Sequence, residues 1–247
     1  MGEMIQLKYD DQEFPAYLVT PHGPVKGALI VVQEVWGLTP HIKSIADRLA
    51  GEGYIALSPD LFYGNGIDLE SLSGLQSQLF DPEKRAEVQP KLRALMTPIQ
   101  SPEFGKITEA KTQVCFDYLE NLGNVEGRVG IIGFCFGGTY SFSLAVHQPK
   151  LKVAIPFYGH ADFSVDQLKA ITCPVLAFYG DQDENLMASL PELKDKMSKA
   201  GVKFTAQVYP GCGHAFFNDT NKFTYNPEAA ADAWNKTLDL LKSSFSL

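Results

Sequence analysis

The chain lacks a long apolar run, a basic leader, a basic cluster and any paired-cysteine motif. Each absence excludes a class. A membrane-spanning helix needs about 20 consecutive apolar residues, and the longest runs here are far shorter. The first residues, MGEMIQLKYDDQEF, carry acids where a secretory signal needs a basic and then an apolar segment, so a cytoplasmic location is expected. Net charge is −8, from 29 acidic and 21 basic residues. Such a balance gives no counterion-release affinity for nucleic acid, and neither nucleic acid nor membrane is an expected partner. The four cysteines, Cys115, Cys135, Cys173 and Cys212, show neither a CxxC nor a His/Cys ligand spacing. That argues against a disulfide framework and a structural zinc site, and no metal or cofactor is expected.

What is present reads as an alternation of strands and helices. Residues 4–9 and 14–19 form two short strands. ALIVVQ at 28–33 is a continuous apolar run, the mark of a strand buried on both faces. Further strands are expected at 54–57, 128–134, 152–157, 174–179 and 203–209. Between them, helices are expected at 41–52, 107–122, 136–147 and 191–200, with a closing helix at 227–243. Alternation of this kind means a mostly parallel central sheet with helices on both faces. No linker or repeat divides the 247 residues, a length typical of one α/β domain, so 1–247 reads as a single domain. Residues 60–104, rich in Gly and Pro, interrupt the rhythm. Two readings fit them equally: an insertion over one end of the sheet, or a pair of solvated surface helices.

In such sheets the chemistry lies at the carboxyl ends of the strands. After RVGIIGF comes Gly133-Phe134-Cys135-Phe136-Gly137-Gly138, a G-x-C-x-G-G turn between strand and helix. This is a nucleophile elbow with Cys in the usual place of Ser. The bend is tight, so the residues two before and two after the nucleophile must lack bulk. It raises the sulfur out of the sheet and aims the Phe136 backbone N–H and the helix N-terminus at the same spot. Cys115 and Cys173 read as packing residues. Cys212 reads as a small loop residue or as a second thiol able to oxidise with Cys135.

A nucleophilic thiol needs a base, and the base a group to fix its tautomer. Of the histidines after Cys135, His147 lies at the far end of the elbow helix. His160 follows a strand and is a fallback. His214 follows the strand at 203–209 in the small-residue loop Pro210-Gly211-Cys212-Gly213, and is the chosen base. In Gly180-Asp181-Gln182-Asp183-Glu184, Asp183 is placed to reach the histidine, while Asp181 caps the turn. The loop Gln33-Glu34-Val35-Trp36-Gly37 offers the Val35 N–H as the second oxyanion donor. Glu34 then stands beside the sulfur. Its charge opposes a second negative charge there, keeping the thiol neutral until substrate enters and it takes the proton. The bland alternative is a turn residue salt-bridged at the surface. Trp36, Tyr158 and Phe216 are the expected substrate contacts.

GFCFGG, QEVWG, GDQD and GHAFF, in this order over nearly the whole chain, resemble the dienelactone hydrolase (carboxymethylenebutenolidase) family. The resemblance implies an α/β-hydrolase fold and hydrolysis of an enol-lactone through an acyl-enzyme without metal. It also implies a triad of Cys135, Asp183 and His214, a thiol-gating Glu34, and oxyanion donors at Val35 and Phe136. One departure stands out. Well-known members carry an arginine four residues after the histidine, holding the substrate carboxylate; here that position is Asn218. A neutral amide does not replace a bidentate guanidinium. Arg85 or Arg93 of the insertion is a candidate replacement. The expected partner is a small ester or lactone, and the expected state a monomer or weak homo-oligomer. Two rival readings remain: a non-catalytic binding protein, and a redox-responsive protein using Cys135 with Cys212.

Overall fold

The computed structural model describes residues 2–79 and 83–246. Its centre is an eight-stranded sheet in the order β1-β2-β4-β3-β5-β6-β7-β8. β1 (Glu3–Tyr9) and β2 (Gln12–Val19) form an antiparallel hairpin at one edge. β2 pairs antiparallel with β4 (Tyr54–Pro59), and every later pairing is parallel. β3 (Gly27–Val32), β5 (Val129–Phe134), β6 (Val153–Phe157) and β7 (Val175–Gly180) are buried along their whole length. This follows from their near-continuous apolar sequences, since helices cover both faces of a parallel sheet. β8 (Phe204–Tyr209) closes the other edge and is mostly half-buried.

The covering helices are α1 (Pro40–Gly51), α4 (Pro102–Glu120), α5 (Phe136–His147), α7 (Glu184–Ala200) and α8 (Pro227–Ser244). Two begin earlier than their apolar pattern predicts. α4 starts at Pro102 because Ser101 accepts the Phe104 N–H, and α7 starts at Glu184 because Asp183 accepts that of Leu186. Pro191 therefore lies inside α7 rather than at its start. A one-turn helix, α6 (Val165–Leu168), carries a capping box through Ser164 and Gln167 and has no counterpart in the predicted elements. Cys115 and Cys173 are core residues, as their apolar neighbours imply.

Between β4 and α4 the chain forms α2 (Leu69–Leu79), α3 (Arg85–Leu95) and a 3₁₀ turn (Thr97–Gln100). This segment has its own small core of Phe62, Leu72, Met96 and Phe104. Val35 and Phe136 of the sheet's carboxyl end pack against that core. Phe62, Phe104 and Phe136 meet edge to face or tilted, with centroids 5.1–6.1 Å apart. α2 and α3 thus sit over the carboxyl end of the sheet. Among the described residues no helix is long and apolar enough to cross a membrane.

Candidate active site

β5 ends in the elbow. Cys135 has φ 54° and ψ −110°, a region that L-residues with a side chain rarely adopt. Its N–H is held by the Phe157 carbonyl at 3.0 Å, and the Gly137 N–H by the Gln33 carbonyl at 3.0 Å. The flanking glycines are sterically required. A Cβ on Gly133 would lie 2.0 Å from the Gly137 oxygen, and one on Gly137 would lie 2.3 Å from the Val32 oxygen. Cys135 is free and half-exposed at the start of α5. Phe136 is the first residue of that helix, so its N–H has no partner within it.

Two loops bring the base and its acid together. The Asp181 carboxylate accepts the Gly211 N–H at 2.8 Å, and the Cys212 carbonyl accepts that of Gln182, also at 2.8 Å. Asp181 thus ties the turn. Gly180 packs so closely on the Cys212 carbonyl that a Cβ would come within 2.3 Å of it. The pairing sets Asp183 Oδ2 2.5 Å from His214 Nδ1. A carboxylate accepts only, so the ring proton sits on Nδ1. His214 and Cys135 line the same pocket, and the sulfur is near enough to act on the imidazole. Burial would lower the affinity of His214 for a proton. The sulfur and Asp183 outweigh it and hold the ring above the ordinary imidazole range. The side chain is 43% exposed, so solvent screens part of both effects. Asp183 experiences burial that would raise it, but its bond to His214 prevails and keeps it below the usual carboxylate range.

Glu34 is only 2% exposed and makes no surface ion pair among the described residues, which removes the bland reading of a solvated turn residue. Its Oε1 accepts from the Tyr158 hydroxyl at 3.3 Å and its Oε2 from the Asn218 amide at 2.6 Å. Burial pushes its pKa up; the nearby His41 and His214, with the two hydrogen bonds, pull the other way and only partly offset this.

Cys135, Glu34, Val35, Trp36, Asp183 and His214 all line one pocket, of about 590 Å³. Leu92 of α3 and Phe223 also face it. Its acidic wall residues, among those described, are Glu34, Asp183 and Glu184, and His214 is the basic one. Two expected substrate contacts need correction. Phe216 is fully buried among Phe157, Tyr158 and Tyr209, beneath the pocket rather than on its wall. Tyr158 is 1% exposed and spends its hydroxyl on Glu34, with its ring 5.0 Å from that of His214. The apolar character of both residues directs them to the core, which the sequence does not distinguish from a pocket wall.

The remaining candidates fall elsewhere. His160 is exposed and lines a neighbouring depression with Asp162 and Lys196. His147 turns its Nδ1 to the Ser143 carbonyl at 2.9 Å. Arg93 is exposed on α3 and does not line the pocket, and the Arg85 side chain lies outside the described residues. Cys212 is buried, and its side chain does not line the pocket that Cys135 lines. Asn218 is not a stand-in for an anion-binding arginine. It is buried, and its amide is committed to Glu34.

Known proteins resemble this chain along nearly its full length. The model of the dienelactone hydrolase family matches residues 14–245. A protein of Saccharolobus solfataricus named "Putative carboxymethylenebutenolidase" is 33% identical, over 98% of each chain. One of the same name in Escherichia coli K12 is 30% identical, over 92% of this chain and 82% of the relative. A solved structure named "Putative Dienelactone Hydrolase", from Klebsiella pneumoniae, superposes with a TM-score of 0.81 at 26% identity, over 98% of both chains.

Proposed function

The chain belongs to the dienelactone hydrolase family of carboxylic ester and lactone hydrolases, and from that premise we propose that it hydrolyses a small, uncharged ester or lactone through an acyl-enzyme on Cys135. The observation that carries the reading is the convergence of Cys135 and the hydrogen-bonded His214–Asp183 pair on one pocket. Residues 1–247 act as one catalytic unit, with the 60–104 insertion roofing the pocket through Leu92.

The steps follow from the residues. In the resting enzyme the Glu34 charge opposes charge on the sulfur. As substrate enters, the thiol proton passes to Glu34, and burial makes that carboxylate a ready acceptor. The thiolate attacks the acyl carbon. The N–H groups of Val35 and Phe136 stabilise the oxyanion, a contribution typically worth about 10²–10³ in rate per donor. The bond to the leaving oxygen breaks, and that oxygen takes the proton back from Glu34. His214 then removes a proton from water, and the resulting hydroxide attacks the thioester. The C–S bond breaks, the acid departs, and the sulfur recovers its proton from the imidazolium. Asp183 keeps Nδ1 protonated, so Nε2 is the nitrogen that works.

The pocket's charge supports the substrate class. Among the described residues three carboxylates, Glu34, Asp183 and Glu184, face the single imidazole of His214 on its wall; this acidic balance disfavours an anionic acyl group and leaves Trp36, Leu92, Val35 and Phe223 to hold an apolar one. Turnover of short p-nitrophenyl esters by Cys135→Ala tests the reading. Loss of nearly all activity is expected; unchanged turnover would end it.

A further inference from the structure

The loop after the catalytic histidine carries a polar side chain that the acyl-transfer steps do not use. Asn221 is 2% exposed and lines the same pocket as Cys135. Its backbone is fixed on both sides. The N–H donates to the Asn218 carbonyl at 3.0 Å, and the carbonyl accepts the Thr224 and Tyr225 N–H groups at 3.2 and 2.9 Å. The side-chain Oδ1 accepts the Phe223 N–H at 3.2 Å. That N–H needs an acceptor, so the amide oxygen faces Phe223 and the NH₂ group points away from it. The NH₂ group carries two protons, and no group among the described residues accepts either. A buried donor left in this state is uncommon and calls for a reason.

A second observation concerns Phe223, whose N–H holds that oxygen. Its side chain is 46% exposed and lines the same pocket. The other exposed large apolar residues among those described, Met4, Tyr63 and Tyr225, do not line it. One turn thus presents an apolar ring and an unspent pair of neutral donors to a single cavity. Lys222 of the same turn stands over the Phe223 ring at 5.1 Å and is not part of the pocket wall. The wall's carboxylates, Glu34, Asp183 and Glu184, oppose an anion, so the acceptor suited to Asn221 is a neutral oxygen.

We infer that Asn221 is a specificity-determining residue that donates its amide N–H to a neutral oxygen in the acyl part of the substrate. That oxygen is a carbonyl, ether or hydroxyl oxygen, carried beside an apolar group that packs on Phe223. The inference rests on the proposed ester hydrolysis and narrows its substrate class from apolar acyl groups to those bearing a further oxygen. The acyl part is the one concerned because Phe223, among the residues left to hold the acyl group, is bonded through its backbone to the Asn221 amide. A site built to donate to an oxygen discriminates against the all-carbon analogue, whose binding leaves buried donors unpaired.

The test compares p-nitrophenyl hexanoate with analogues in which an ether oxygen replaces C3, C4 or C5 of the acyl chain. Each kcat/KM is divided by the rate of hydrolysis of the same ester in hydroxide alone, which removes its intrinsic reactivity. The wild type is expected to prefer at least one ether ester over the hexanoate by about tenfold, the scale of one hydrogen bond. Asn221→Asp keeps an acceptor for the Phe223 N–H and removes the donors. In it the preference is expected to vanish, whatever the absolute rate. A wild type with no preference for any of the ether esters overturns the inference, and that arm requires no variant to fold. A preference that survives in Asn221→Asp overturns it as well. If Cys135→Ala is inactive while the preference is missing, the catalytic reading stands and only the role of Asn221 falls. An active Cys135→Ala removes both.

Discussion

Asn218 donates its side-chain N–H to Glu34 Oε2 at 2.6 Å, across 184 positions of sequence and inside the protein. A neutral donor at this point stabilises the carboxylate without adding a charge to the pocket. It also turns the buried Asn218 amide toward Glu34, where an anion-binding arginine would be needed to hold a substrate carboxylate. Removing the donor leaves a buried acceptor short of one hydrogen bond. Asn218→Leu is therefore expected to lower kcat/KM for a neutral ester by about 10–100-fold, with the larger loss on the acid side. Rate measurements across pH, with Asn218→Gln as the conservative comparison, check this.

Glu34 should weigh against stability. Its folded pKa is raised by burial, so the folded chain binds its proton more readily than the unfolded chain. The sign of the linkage follows: Glu34 favours the folded state in acid, and that contribution is lost as pH rises above the ordinary carboxylate range of about 4. Glu34→Gln is expected to raise the unfolding midpoint at neutral pH, by about 0.5–2 kcal/mol in stability, while lowering turnover. Calorimetry at pH 5 and pH 8 reads the difference, which should be larger at pH 8.

Asp183 carries the opposite sign. Its pKa is depressed by His214, so it stabilises the fold above about pH 4 and this contribution fades as pH falls below that. Asp183→Asn is expected to flatten acid unfolding and, by releasing the imidazole tautomer, to lower kcat by about 10²–10⁴. Acid titration by circular dichroism and steady-state kinetics provide the two readouts.

The elbow allows almost no substitution. Gly137→Ala places a methyl 2.3 Å from the Val32 carbonyl and 2.8 Å from that of Gln33, both backbone atoms of a central strand and its loop. A loss of about 4 kcal/mol or more is expected, enough to leave little folded enzyme. Denaturant unfolding measures it. Gly74→Ala, on an open face of α2, serves as the harmless control.

Much of this was legible in the residues and some was not. The buried runs of β3, β5, β6 and β7 announce a parallel sheet, and the order of GFCFGG, GDQD and GHAFF places three polar side chains at its carboxyl end. The starts of α4 and α7 were hidden because Ser101 and Asp183 act as caps, and capping depends on local geometry more than on apolar period. Phe216 and Tyr158 misled for another reason: an aromatic residue beside a catalytic loop packs inward as readily as toward substrate. Asn221 gave no signal at all. It reads as one more polar residue in a loop, and only the fold sets its amide in the pocket wall.

The central claim is a covalent bond between substrate and sulfur. Rapid mixing with a slowly turned-over p-nitrophenyl ester, followed by acid quench and mass spectrometry of the digested protein, looks for it directly. The account predicts one acyl group on the peptide containing Cys135, appearing with the burst of p-nitrophenol and absent from Cys135→Ala. An unmodified Cys135 peptide during active turnover, or an acyl group on another residue, would contradict it.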